Sequence, residues 1–305
     1  MGSDGEPVAD KWPPFVHLGD TSVMANDIPA GIRIIRGANR TLGRVAPSLA
    51  SRLSRRIFST PRKFAPREWE VPFETMARRE RLPSGLSVLR AGDGPPVALI
   101  HGWEGRATQF AAFAPALLAH GFSVVAIDAP GHGHSRGKQT DPYRFAEALI
   151  DVSAHVGSLY GAVGHSMGGG SIALALSSGL SLSRAAIIAS PSSLHDVLHR
   201  FSAAMHLPPK ATDHFVRDAR RRIVARGYRT DDIEGALRAV TVPALVVHAR
   251  DDKEVPFADA ERIAGFWPGS TLLPVERVGH RRILRDPITI AAITEYLGAG
   301  LPRED

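Results

Sequence analysis

Ser166 stands at the centre of Gly164-His165-Ser166-Met167-Gly168, after an apolar run and before a Gly- and Ala-rich helical pattern. This is a G-x-S-x-G nucleophile elbow in the setting it requires: strand, sharp turn, helix. The turn lifts a hydroxyl above the edge of a sheet. The flanking glycines remove the Cβ atoms that would hold strand and helix apart. The chemistry implied is acyl transfer. An unactivated hydroxyl is a weak nucleophile and needs a base within hydrogen-bond reach. The chain has 13 histidines, so the base must be selected among them. Other polar motifs are His101-Gly102-Trp103-Glu104-Gly105, Asp128 to Ser135, Asp251-Asp252-Lys253-Glu254-Val255-Pro256 and Gly279-His280.

These motifs need a scaffold, and from Val71 onward short apolar runs alternate with helical patterns. Strands are expected at Ser87–Leu89, Val97–His101, Ser123–Ala129, Leu159–Gly164, Ala185–Ala189, Ala244–Ala249 and Thr271–Val275. Helices are expected at Thr108–His120, Tyr143–Val156, Met167–Ser178, Ala258–Phe266 and Ile288–Leu297. Fully apolar strands joined by helical crossovers imply an α/β fold, with a mostly parallel central sheet flanked by helices on both faces. Ligands in such sheets bind beyond the carboxyl ends of the strands, where the polar motifs fall. Ser190 to Val240 has no strand signal. Its helical pattern reads as a cap inserted between two sheet strands. The expected organisation is an arm at 1–70, a core at 71–190 and 241–305, and a helical cap at 191–240.

The five motifs, in this order, resemble the α/β-hydrolase family of the esterase, lipase and serine-aminopeptidase-like type, over about Val71 to Leu297. Gly-His-Ser-Met-Gly-Gly is also common in its monoacylglycerol-lipase-like members. The resemblance implies Ser166 as nucleophile and, from the order Ser, Asp, His, His280 as base. The family places the acid four residues before the Pro of a Val-Pro pair. That favours Asp252 and leaves its neighbour Asp251 as the alternative. The acid would fix the His280 tautomer and stabilise the imidazolium without taking the proton. The oxyanion hole implied is the backbone N–H of Met167 and that of Trp103, the residue after His-Gly. The reaction expected is hydrolysis of a small-molecule carboxylic ester through an acyl-enzyme. Monoacylglycerol lipase or lysophospholipase, thioesterase, and amidase or aminopeptidase activities are alternatives on the same machinery, and a non-catalytic ligand-binding protein is the alternative of another class. A serine at the elbow argues against dehalogenase or epoxide hydrolase chemistry, for which the family uses Asp.

The remaining side chains divide between pocket and scaffold. Leu194, Leu198, Phe201, Met205 and Phe215 of the cap would line an apolar substrate pocket or form the cap's own core. Periodicity does not separate the two. Glu104 is expected to pair with Arg106, with contact to substrate as the alternative, His165 to point away from the turn, and His101, His132 and His134 to serve loop hydrogen bonding or pocket lining. Gly168-Gly169-Gly170 reads as helix packing rather than a phosphate loop, because no Gly-Lys-Ser/Thr follows. No cofactor is implied, and no metal. His195 and His199 have i, i+4 spacing that could hold a metal, but no carboxylate–His set completes it, so they read as a solvated helix face.

Composition narrows the classes. The hydrophobic share of 44% and charged share of 22% are those of an ordinary globular domain. There is no cysteine, which excludes disulfides, thiolate metal sites and cysteine nucleophiles. The polar start Met1 to Lys11 has no basic-then-apolar pattern, so no signal peptide is read and the cytoplasm is the expected location. The net charge of +6 is uneven. Ten of the 37 basic residues but only two of the 31 acidic ones lie between Gly31 and Glu70, leaving 27 basic and 29 acidic elsewhere. Residues 1 to about 30 read as loop. From Thr41 to Phe58, Leu42, Val45, Leu49, Leu53 and Ile57 recur at helical spacing, and Pro61 and Pro66 end the pattern. This basic amphipathic helix is expected to pack on the body or cap the pocket mouth. Contact with anionic lipid headgroups is the sharper alternative to a solvated face. Nucleic acid is not expected, since no binding motif or interleaved aromatics accompany the charge.

Overall fold

The computed structural model describes residues 30–228 and 232–301. The loop expected at the chain start lies, but for residue 30, outside the described residues. Eight strands form one sheet: β1 (Arg78–Arg81), β2 (Ser87–Ala91), β3 (Pro96–Ile100), β4 (Ser123–Asp128), β5 (Gly161–His165), β6 (Arg184–Ile188), β7 (Ala244–Ala249) and β8 (Ser270–Val275). Their order is β1-β2-β4-β3-β5-β6-β7-β8. The β1–β2 and β2–β4 pairs are antiparallel and all others parallel. Helices cover both faces, so the middle strands carry apolar side chains on either side, and Val97–Ile100 and Val246–Val247 are fully buried. Pairing of Ile100 with Gly164, His165 with Ile188, and Ala249 with Val275 aligns the carboxyl ends of β3, β5, β6, β7 and β8 along one rim. The candidate residues leave the sheet from that rim.

β1 is a strand the sequence pattern hides. Arg-Arg-Glu-Arg has no apolar alternation, yet it pairs with β2 as an edge strand, where a row of charges discourages further strand addition. The helix expected over Thr108–His120 is a 3₁₀ turn at Ala107–Phe110 followed by a helix at Phe113–Ala119.

The single helix expected over Thr41–Phe58 is two, α1 (Ala30–Val45) and α2 (Pro47–Ser59). Pro47 has no N–H to continue the ladder and pushes Ala46 out of helical geometry, to φ −140° and ψ 68°. The buried face also differs from the apolar stripe. Ala50, Ser51 and Ser54 are covered, while Val45, Leu49 and Leu53 are exposed. The small residues let the arm lie close on the cap, which consists of three helices, Leu194–Ala204, Pro209–Ala225 and Ile233–Leu237, between the adjacent strands β6 and β7. A Cβ on Gly43 would sit 2.4 Å from Pro208 Cδ. Asn39 Nδ2 donates to Met205 O (2.9 Å) and Arg36 Nε to Ala204 O (2.7 Å), and Arg55 pairs with Asp218 at 3.1 Å. Arm and cap therefore form one layer over the strand ends.

Candidate active site

Ser166 joins β5 to the helix Met167–Ser177 at φ 53° and ψ −121°, backbone that a non-glycine residue seldom adopts and that costs about 1–3 kcal/mol. Its N–H donates to Ile188 O (2.8 Å). The strain is held by glycine packing. A Cβ on Gly168 would fall 2.4 Å from Ile100 O and 2.6 Å from His101 O. One on Gly164 would meet Gly168 O at 2.6 Å, and one on Gly169 would meet Ser190 Cβ at 2.8 Å. The triplet is thus helix packing. The Ser166 hydroxyl makes no hydrogen bond among the described residues, to His280 Nε2 or to any other group.

The loop after β3 lies against Ser166, since a Cβ on Gly102 would come within 2.8 Å of Ser166 Cβ. The N–H groups of Trp103 and Met167 have no acceptor among the described residues. Two buried imidazoles shape this loop. His101 Nδ1–H donates to Gly102 O (2.6 Å) and Nε2 accepts from Ala129 N (3.1 Å). His132 Nε2 accepts from Glu104 N (3.0 Å) and Nδ1–H donates to Pro130 O (3.2 Å). Burial keeps both rings neutral, pushing His101 down to about 4 and His132 well below its usual value.

Glu104 turns the loop at φ 56° and is not paired with Arg106 as expected. Arg106 reaches the other way, from extended backbone, to Glu70 at 3.9 Å. The partner of Glu104 is Arg62 of the arm, which binds both its oxygens (Nε–Oε1 2.7 Å, Nη2–Oε2 2.7 Å) and adds its own backbone N–H at 3.1 Å.

Asp252 follows β7 and His280 lies in the short helix Gly279–Arg282, both at the rim. His280 Nδ1–H donates to Asp252 Oδ2 (2.8 Å). Asp252 Oδ1 accepts the N–H groups of Glu254 (2.8 Å) and Val255 (2.9 Å). His248 Nε2 lies 3.3 Å from Oδ2 and 3.0 Å from Val255 O, so it carries its proton on that nitrogen. Burial alone would raise the Asp252 carboxyl. The adjacent His280, with the hydrogen bonds from His248, His280 and Val255, overrides it and holds Asp252 well below the usual carboxylate range. Asp251 instead accepts from Gly279 N (3.1 Å), so it braces the backbone beside His280 without touching the ring.

Burial pushes His280 down, but Glu254 and Asp252 outweigh it and its pKa is raised. Glu254 is a site residue that the sequence reading missed. Its Oε2 stands 3.6 Å from His280 Nε2, and Oε1 accepts from Arg281 Nε (2.8 Å). His165, which also borders the cavity, donates from Nε2 to His280 O (2.8 Å), its ring kept neutral by burial and by nearby His280.

Ser166, Trp103, Met167 and His280 line one cavity of about 690 Å³. Of the five cap residues, Leu194 and Phe201 lie on its wall. Leu198, Met205 and Phe215 do not line it and are buried in the core instead. The arm, expected to pack on the body or cap the pocket mouth, supplies part of the wall: Phe58 stacks on Trp103 (6.1 Å, 14°) and meets Phe201 edge-on at 4.9 Å. Among the described residues no group of three or more His, Asp or Glu could hold a metal ion. His195 and His199 approach within 3.1 Å on an exposed helix face. No helix among the described residues is long and apolar enough to cross a membrane.

Residues 97–293 match the alpha/beta hydrolase family. The chain belongs to this family. The hydrolase is 28% identical over 258 residues to the pimeloyl-[acyl-carrier protein] methyl ester esterase of Stenotrophomonas maltophilia, an alignment that takes in 70% of this chain and 96% of that protein. It is 27% identical over 247 residues to a non-heme chloroperoxidase of Streptomyces lividans, over 64% of this chain and 88% of that one. Its fold matches that of an esterase from Exiguobacterium antarcticum with a TM-score of 0.55 and 19% identity, covering 73% of this chain and 99% of the other. The arm, with Arg62 and Phe58, lies outside the hydrolase's family match, although it builds one wall of the cavity.

Proposed function

We propose that this hydrolase cleaves carboxylic esters through an acyl-enzyme formed on Ser166. The reading is carried by the 2.8 Å Asp252–His280 hydrogen bond on the cavity onto which Ser166 opens. Asp252 holds the proton on His280 Nδ1 and leaves Nε2 as the basic nitrogen. Nε2 removes the Ser166 proton as Oγ attacks the ester carbonyl carbon. The negative oxygen that develops is received by the N–H groups of Met167 and Trp103. Met167 sits at a helix N-terminus, where the peptide dipoles favour negative charge. Losing one such donor costs about 2.7–4 kcal/mol in the transition state. The tetrahedral species collapses, the C–O bond breaks, and His280 returns its proton to the departing alcohol. Water then gives up a proton to His280 and attacks the acyl carbon. The same oxyanion site serves this step. The acyl C–Oγ bond then breaks, His280 returns the proton to Ser166 Oγ, and the acid is released.

The mostly apolar wall, with Phe58, Trp103, Leu194 and Phe201, suits a hydrocarbon acyl or alcohol group. Hydrolysis of p-nitrophenyl esters of increasing acyl length by the parent and by Ser166→Ala tests the reading. Ser166-dependent turnover with an optimum beyond acetate is expected. Turnover equal in both proteins, or absent from both, overturns it.

A further inference from the structure

We propose that the outer face of α1 and α2 docks the protein on an anionic lipid surface, with the mouth of the active-site cavity turned toward the bilayer. The inner face of this helix pair is committed to the cap by Asn39, Arg36, Gly43 and Arg55, as described above. The outer face combines two features that folding does not need. Ile34, Val45, Leu49 and Leu53 are 71%, 77%, 46% and 47% exposed, half of the large apolar side chains exposed among the described residues. Between them stand Arg33, Arg44, Arg52 and Arg56, all exposed and without an ion-pair partner among the described residues. No acidic residue occurs from Ile28 to Arg67. Exposed apolar side chains interleaved with unpaired arginines are the composition of a helix that lies in the headgroup layer. The apolar groups enter the acyl boundary and the guanidinium groups meet lipid phosphates. A purely electrostatic partner surface would leave the four apolar side chains unexplained.

The placement of this face favours lipid over other occupants. Leu49, Leu53 and Ile57 succeed one another at i, i+4, and both Leu53 and Ile57 line the cavity. Ile35, Ala38 and Leu42 bring α1 to the same wall at helical spacing. The apolar stripe therefore begins on the exposed face and continues into the cavity. An ester-bearing amphiphile leaving a docked bilayer would pass along it without crossing water. That last step rests on the esterase reading. Docking itself does not.

Vesicle binding is accordingly read on the protein, independently of turnover. The full chain is sedimented with phosphatidylcholine vesicles, with or without about 30% phosphatidylserine, in about 0.05 M and about 0.5 M NaCl. Binding is expected only with phosphatidylserine, weakened at least tenfold at the higher salt. Val45→Ser/Leu49→Ser and Arg44→Gln/Arg52→Gln each remove two side chains that lie outside the cavity. Each is expected to weaken binding at least tenfold, with unchanged circular dichroism, melting temperature and hydrolysis of a soluble short-chain ester. Failure to bind anionic vesicles overturns the proposal, as does equal binding to both vesicle types. Parent-like vesicle binding by both variants also overturns it. So does a concentration-dependent dimer that both variants abolish in the absence of vesicle binding, which would assign the face to a second copy of the chain.

Discussion

Arg62→Ala should damage both stability and turnover, because it strips a buried carboxylate of its counterion beside the proposed oxyanion site. The Glu104 side chain is 3% accessible and that of Arg62 is 36%. The substitution removes the two 2.7 Å side-chain bonds and leaves Glu104 the 3.1 Å bond from the Arg62 backbone. Removing one partner of a fully buried pair costs about 3–5 kcal/mol. Arg62 is a third exposed, so water can take part of its place, and the expected loss is about 2 kcal/mol. Urea denaturation should report it as a lower midpoint at unchanged slope. Glu104 is bonded through its N–H to His132 and follows Trp103 directly, so kcat should fall while KM changes little. Glu104→Gln added to Arg62→Ala should restore part of the stability, since a neutral amide is cheaper to bury than an unpaired charge. Arg62→Ala within about 0.5 kcal/mol of the parent, with parental kcat, would mean that Glu104 does not depend on this counterion.

Asp252→Asn keeps the shape but allows the wrong His280 tautomer, and should lower kcat by about four orders of magnitude with little change in circular dichroism. Glu254→Gln removes a negative charge 3.6 Å from His280 Nε2 and so makes the imidazolium easier to deprotonate. The acidic limb of kcat/KM, which follows the free-enzyme base, should move to lower pH, and a limb that stays in place or rises contradicts the assignment. Gly168→Ala sets a Cβ 2.4 Å from Ile100 O, backbone of a central strand that cannot yield. It should cost about 1–3 kcal/mol of stability and reduce turnover further by displacing the elbow, measurable by urea midpoint and initial rate.

The sheet was legible where burial on both faces demands uninterrupted apolar runs, as in Ala244–Ala249. It was hidden at Arg78–Arg81, where an edge strand carries only charge. The break at Pro47 was readable from proline chemistry, but an apolar stripe continuing past it masked the signal. Order proposes Ser166 and His280, and the spacing to Pro256 favours Asp252 over Asp251. What the sequence does not carry is that Asp252 bonds the His280 ring while its neighbour Asp251 bonds the Gly279 backbone. Glu104 shows the limit most clearly. Sequence exposes only near neighbours such as Arg106, whereas its partner Arg62 is 42 residues away on an arm that folds back over the site. Helical spacing likewise identified an apolar face on the cap. It did not say that Leu194 and Phe201 face the cavity while Leu198, Met205 and Phe215 face the core.

In the proposed reaction Ser166 is the nucleophile, activated by His280 and Asp252. Mass spectrometry after reaction with a fluorophosphonate reads this activation on the protein itself, because the probe bonds covalently to an activated serine. One adduct is expected, on the peptide containing Ser166, absent in Ser166→Ala and formed far more slowly in His280→Ala. A protein that takes up no adduct, or an adduct that persists in Ser166→Ala, would contradict the account.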